Sequence, residues 1–167
     1  MDSLFEELIA IDSQHALNFF LVNLRETMGD RRLKDDEVLY VASILAHYSQ
    51  TSRADTSSIP PMAHLGEVFD HFVLQTDMHR DPGVLEMGGS QVLFFAGFFR
   101  DQMARRHNVR WFDQIGQSLY ERASHHSVNP KKRDLFDRLS ESFPVWTLLC
   151  RDLSRTLRDN RLLLRPN

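Results

Sequence analysis

Eight histidines, one cysteine and 23 acidic residues in 167 positions supply several candidate chemistries. The best-spaced metal set is His64, Glu67 and His71, three and four residues apart and so on one face of a helix. Leu65, Val68, Phe69, Phe72 and Val73 fall on the other side of the same wheel. That set therefore faces away from a core, and three ligands there would need a fourth from another element or subunit. A carboxylate-bridged di-iron bundle requires Glu-x-x-His on two helices. The chain has none, and Asp12-x-x-His15 is a single imperfect substitute. His15 or His47, if buried, could ligate haem, but no covalent haem motif accompanies them. His125 and His126 sit near a helix C-terminus, where a protonated imidazole suits the dipole.

Nucleophilic chemistry has less to work with. Cys150 shares an inward stripe with Leu135, Leu139, Phe143, Trp146 and Leu153, and a thiol in a core is inert. No Gly-x-Ser-x-Gly elbow is present. The paired carboxylates Asp35-Asp36 and Glu6-Glu7 fall at helix starts or on exposed faces. The expectation is no catalytic residue and no cofactor. A metal- or haem-binding bundle is the alternative, and an enzyme or sensor holding a small apolar ligand beside a central helix is a second. For that last reading, Ser90, Phe94, Gly97 and Tyr120 mark either a ligand site or close packing.

The elements that must position these residues are all helices, since no segment alternates with β-branched enrichment. Asp12 can cap a helix over 13–28, with 3–11 a short preceding helix or its continuation. Apolar residues lie all round 13–28, which predicts extensive burial. Asp35-Asp36-Glu37 open a second helix whose inner face is Val38, Val41, Ala42, Leu45 and Tyr48. Residues 50–61, QTSRADTSSIPP, read as a surface loop and as the only linker. The 50 residues before it are few for an independent core, so a single domain spanning 1–167 is expected.

Further helices are predicted over 62–77, over 84–105 (starting near Pro82-Gly83 or Val84), from Val109 to Ser124 behind an Asn108 cap, and from Asn129-Pro130 onward. Pro144 lies inside the last and should kink it. The 84–105 helix carries VLFFAGFF, eight uncharged residues that need enclosure on nearly all sides. Ser90, Gly97 and Ala104 repeat at sevens along it, a row along which a neighbouring backbone can approach. The next helix has Trp111, Phe112, Ile115, Leu119 and Ala123 on one face and Arg110, Asp113, Gln114, Gln117 and Glu121 on the other. The fold class is therefore all-α, a bundle of six or seven helices around the buried 84–105 helix.

GGSQVLFFAGFF followed by RWFDQIGQSLY resembles a group of bacterial all-helical proteins with a Gly-Asp…Leu-Phe…Gly-Phe-Phe-Pro helix and then a Tyr-Tyr…Gly…Ala-Tyr helix. Ser90 stands where that pattern has an acid, Arg100 replaces its proline, and Trp111-Phe112 replace its tyrosines. The resemblance covers about 40 residues and implies a bacterial source, with no activity attached.

Charge and length bound the partners. Residues 1–99 carry 6 Lys/Arg against 15 Asp/Glu, whereas residues 100–167 carry 14 against 8. The halves thus stand at −9 and +6, and complement one another within the fold or across a dimer. Basic residues are interleaved with acids rather than clustered, and no helix-turn-helix spacing occurs, so nucleic acid is not an expected partner. No apolar window reaches the roughly 20 residues of a membrane span. MDSLFEELIAID lacks a basic leader region, which points to the cytoplasm. Val145 and Leu148 lie off the inward stripe, and Leu162-Leu163 extend past the last helix's obvious core contacts. These four residues are the expected contact of a homodimer. The functional expectation is a non-enzymatic protein-interaction or regulatory module.

Overall fold

The computed structural model of the chain describes residues 2–54 and 80–163. Among them every regular element is helical, and no helix is long and apolar enough to cross a membrane. The chain divides into two compact units, Met1–Ile59 and Pro60–Asn167. The division falls inside the 50–61 segment that the sequence marks as a surface loop.

The first unit contains α1 (Asp2–Met28) packed on α2 (Asp35–Ala54). The 3–11 segment is thus a continuation of α1, without a break at Asp12. Gly29 ends α1 at φ +56°, the left-handed conformation that a residue without Cβ adopts at little cost. Phe20 and Leu24 are buried from α1, and Val38, Val41, Ala42, Ile44, Leu45 and Ala46 from α2. The predicted burial of 13–28 on all sides does not hold: Phe19 is 48% and Val22 56% exposed. Apolar residues on every face show that a helix can be enclosed, and only its neighbours decide whether it is. Helix α2 also runs to Ala54, so the predicted loop loses its first residues to the helix.

The second unit is built on α3 (Pro82–Leu93), a π-helical turn (Phe94–Phe98), α4 (Arg100–Ala104), α5 (Val109–His126) and α6 (Pro130–Leu163). Helices α3, α5 and α6 start behind side-chain caps, whereas α4 follows Phe99 without one. Asp81 Oδ1 accepts the Gly83 and Val84 amides at 2.9 and 3.4 Å, Asn108 Oδ1 accepts the Arg110 amide at 3.2 Å, and Asn129 Oδ1 accepts the Lys131 amide at 2.9 Å.

Pair contacts define the register. Gly89 meets Tyr120 and Arg100 meets Asp113, so α3–α4 and α5 run antiparallel. Gly116 meets Phe143, Gln117 meets Ser140, and Tyr120 meets Phe136, so α5 and α6 do likewise. Glu86 pairs with Lys132, Gly97 lies on Thr147 and Cys150, and Asp101 binds Arg155, which sets α6 parallel to α3–α4. The three form an up–down–up bundle. Its core holds Leu85, Val92, Leu93, Met103, Leu119, Tyr120, Phe136, Leu139, Phe143, Trp146, Leu149 and Leu153, each at most 3% exposed.

The predicted continuous helix over 84–105 is interrupted. The π-turn inserts a residue into the helical count and rotates everything after it by about 100°, and Phe99, at φ −103° and ψ 22°, then breaks the helix. The Ser90–Gly97–Ala104 row is consequently no single groove. Gly97 is buried, Ser90 is half-buried with its hydroxyl donating to Met87 O at 2.8 Å, and Ala104 is exposed.

Helix α6, by contrast, runs unbroken through Pro144. A proline removes the donor that would bond the carbonyl four residues earlier, here Ser140. Gln117 Nε2 from α5 donates to Ser140 O at 3.3 Å in its place, and Ser140 Oγ returns a bond to Gln117 O at 3.0 Å.

Candidate functional site

The polar centre of the second unit is an ion pair between α4 and α5. Arg100 Nη1 and Nη2 each donate to one Asp113 oxygen at 3.0 Å, a two-pronged pairing that suits the planar guanidinium. Arg100 Nη1 also reaches Ala96 O, within the π-turn, at 3.2 Å. The two side chains are only 12% and 10% exposed. On the sequence wheel Asp113 belonged to the polar face of α5. It is buried because α5 lies between two partners and hides two adjoining stripes: Phe112, Leu119 and Ala123, and then Asp113, Gly116, Tyr120 and Ser124. The spacing of Gly116 and Tyr120 from Asp113 was the available signal for this second stripe.

Both Asp113 oxygens and both terminal Arg100 nitrogens are engaged, so the pair ties the π-turn to α5 and leaves no lone carboxylate for proton transfer. Gln91 and Gln102, on either side of the turn, bury Oε1 atoms to which no described group donates.

Around the turn the phenylalanines pack on one another. Phe94 stacks on Phe98 at 5.6 Å with 6° between the planes and meets Phe95 and Phe99 edge-on at 5.5 and 5.4 Å. Tyr120 is fully buried and lies 5.8 and 6.1 Å from the rings of Phe136 and Phe143. A Cβ on Gly89 would stand 2.9 Å from the Tyr120 ring, and one on Gly97 would stand 2.8 Å from Cys150 Cβ. Of the four residues marked as a ligand or packing site, Phe94, Gly97 and Tyr120 are buried in different packing contacts. Ser90 turns its hydroxyl to its own helix.

Cys150 is fully buried, and burial pushes its thiol up to about 12, so it stays protonated and unreactive at neutral pH. Its neighbour Thr147 donates to Pro144 O at 3.0 Å. In the first turn of α4, Asp101 takes two bonds from Arg155 at 2.8 Å and one from Arg158 at 3.0 Å. Those bonds, led by the one from Arg155, hold its carboxyl down at about 2 from an ordinary 3.8.

His64, Glu67 and His71 lie outside the described residues. Among the described residues no group of three His, Cys, Asp or Glu is placed to hold a metal ion. His125 Nδ1 donates to Glu121 O at 2.8 Å in the last turn of α5.

On the surface of the unit, Val145 is 39% exposed and Leu148 is half-buried, one turn apart on α6. The side chains of Leu162 and Leu163, at the end of α6, lie outside the described residues. Trp111, expected on the inward stripe of α5, is 40% exposed. It stands edge-on to the buried Phe112 at 5.0 Å, and His107 meets the same ring at 5.9 Å. Arg105, Arg106 and Arg110 surround it in sequence and are exposed. No known family, curated protein or solved structure matches the chain.

Proposed function

We propose that this chain is a non-enzymatic protein-interaction or regulatory module of the bacterial cytoplasm, acting as a homodimer. The observation that carries the reading is on α6. Its inward stripe, Phe136, Leu139, Phe143, Trp146, Cys150 and Leu153, is buried, yet Val145 stays 39% exposed with Leu148 one turn beyond it. Apolar side chains outside a satisfied core stripe are the kind of surface that a second subunit covers.

The polar groups of the second unit support the same reading from the other side. Arg100, Asp113, Asp101, Arg155, Gln117 and Ser140 are spent on joining helices, and the one thiol is buried and protonated. The resemblance to bacterial helical proteins supports the source alone.

Sedimentation equilibrium of the full chain at micromolar concentration tests the proposal. A mass of twice 19.5 kDa is expected, reverting to one chain in Val145→Glu/Leu148→Glu. A 19.5 kDa particle at every concentration removes the dimer.

A further inference from the structure

We propose that the corner joining α4 to α5, from Arg105 to Trp111, docks an acidic segment of a partner protein that also carries an apolar side chain. Residues 102–112 contain Arg105, Arg106, His107 and Arg110 and no acid. The acids that bound this stretch are both occupied: Asp101 by Arg155 and Arg158, and Asp113 by Arg100. Several cationic side chains elsewhere in the unit have partners, as Lys132 does on Glu86, Arg151 on Asp152 and Arg133 on Ser127 O. Arg105, Arg106 and Arg110 are exposed and enter no ion pair or side-chain hydrogen bond among the described residues. Three guanidinium groups within six residues therefore present uncompensated positive charge, which attracts anions over about a Debye length, roughly 8 Å in physiological salt.

The centre of the corner is aromatic. Trp111 is 40% exposed and held edge-on by Phe112, so little side-chain freedom remains to be lost on binding. An exposed tryptophan beside arginines is the composition of a protein-binding hot spot. Charge on the rest of the chain selects the kind of anion. The chain as a whole stands at −3, which disfavours a long nucleic-acid strand or an anionic membrane plane. A short acidic peptide meets the corner alone. The inference rests on the interaction-module reading for its class of partner and is independent of the dimer contact on α6.

The test titrates the full chain into a fluorescein-labelled octapeptide, EDELFEDE, and follows anisotropy. Saturable binding with Kd below about 100 μM is expected, weakened at least about tenfold when salt rises from about 50 to about 300 mM. Arg105→Glu/Arg106→Glu/Arg110→Glu and, separately, Trp111→Ala should each weaken binding by about tenfold or more while circular dichroism stays that of the parent. The three arginine side chains are exposed, so their replacement leaves the core intact. The proposal is overturned by absent binding, by undiminished binding in the arginine variant, or by tighter binding of an oligothymidylate or of phosphatidylserine vesicles under the same conditions. Sedimentation of the same samples separates the two readings. A monomer that binds the peptide refutes the dimer alone, and a dimer that ignores the peptide refutes this corner alone.

Discussion

At the scale of single residues, the informative groups are those that burial has taken out of solvent. Removing one member of a buried ion pair leaves the other charged and unpaired, which costs about 3–5 kcal/mol, whereas replacing both with apolar side chains can be nearly neutral. Asp113→Ala should therefore destabilise the second unit by that order in urea denaturation, because it strands the Arg100 guanidinium beside Ala96 O. Arg100→Met/Asp113→Leu should lose less than Asp113→Ala alone. A double variant that loses the sum of the singles would show that the groups do not act as a pair. Cys150 gives a second residue-scale expectation. With its thiol pushed up to about 12 by burial, it should resist a disulfide-exchange reagent at pH 8 in native protein and react fully in denaturant. Native reactivity comparable to that of a free thiol would contradict its place in the core.

Elements meet where side chains are missing. Gly97 brings the π-turn onto α6, and an added Cβ would lie 2.8 Å from Cys150 Cβ and 3.3 Å from Thr147 Cα. The second contact is backbone and cannot rotate away. Alanine gains about 1 kcal/mol of helix propensity over glycine, yet overpacking costs about 1–3 kcal/mol. Gly97→Ala should thus lower the midpoint of thermal unfolding rather than raise it. At Pro144 the reverse applies. Pro144→Ala restores an amide donor for Ser140 O, which Gln117 now serves. Gln117→Leu should cost about 1 kcal/mol in the parent and distinctly less in the Pro144→Ala background, as a double-mutant cycle will read. Equal costs in both would show that the Gln117 bond does not compensate the proline. These contacts also mark what the helical wheel conveyed. The wheel identified the glycines of the 84–105 segment as close-packing positions, but it assumed a constant 3.6-residue turn. In the folded chain Gly89 lies against Tyr120 of α5 and Gly97 against Thr147 and Cys150 of α6.

For the molecule as a whole, charge links the helix ends to pH. Asp101 titrates near 2 in the folded chain against an ordinary 3.8. A carboxyl depressed by folding contributes stability that is fully present above about pH 4 and disappears as the pH falls through 2. Parent and Asp101→Asn should therefore differ in thermal stability at pH 6, with the parent more stable, and converge by about pH 2. A difference that persists unchanged at low pH would remove the Arg155–Asp101–Arg158 contact as its source. The same bonds show why the basic tail of the sequence looked like an ordinary interleaved surface. Two of its arginines serve an acid more than 50 positions away.

Helical character and part of the capping were legible in the chain, because the caps at Asn108 and Asn129 and the turn at Gly29 depend on neighbours within a few residues. So was most of the inward stripe of α6, whose period is that of the helix itself, although Phe136 rather than Leu135 is buried at its start. Three things waited for the tertiary structure. Asp113 is buried because two helices flank α5, Phe19 and Val22 are exposed because the described packing of α1 covers only part of its surface, and the π-turn holds where Arg100 can reach both Ala96 O and Asp113. Local signals act through covalent proximity and survive in the sequence. Burial, charge pairing and helix phase depend on contacts between residues distant in the chain, and only folding brings those together.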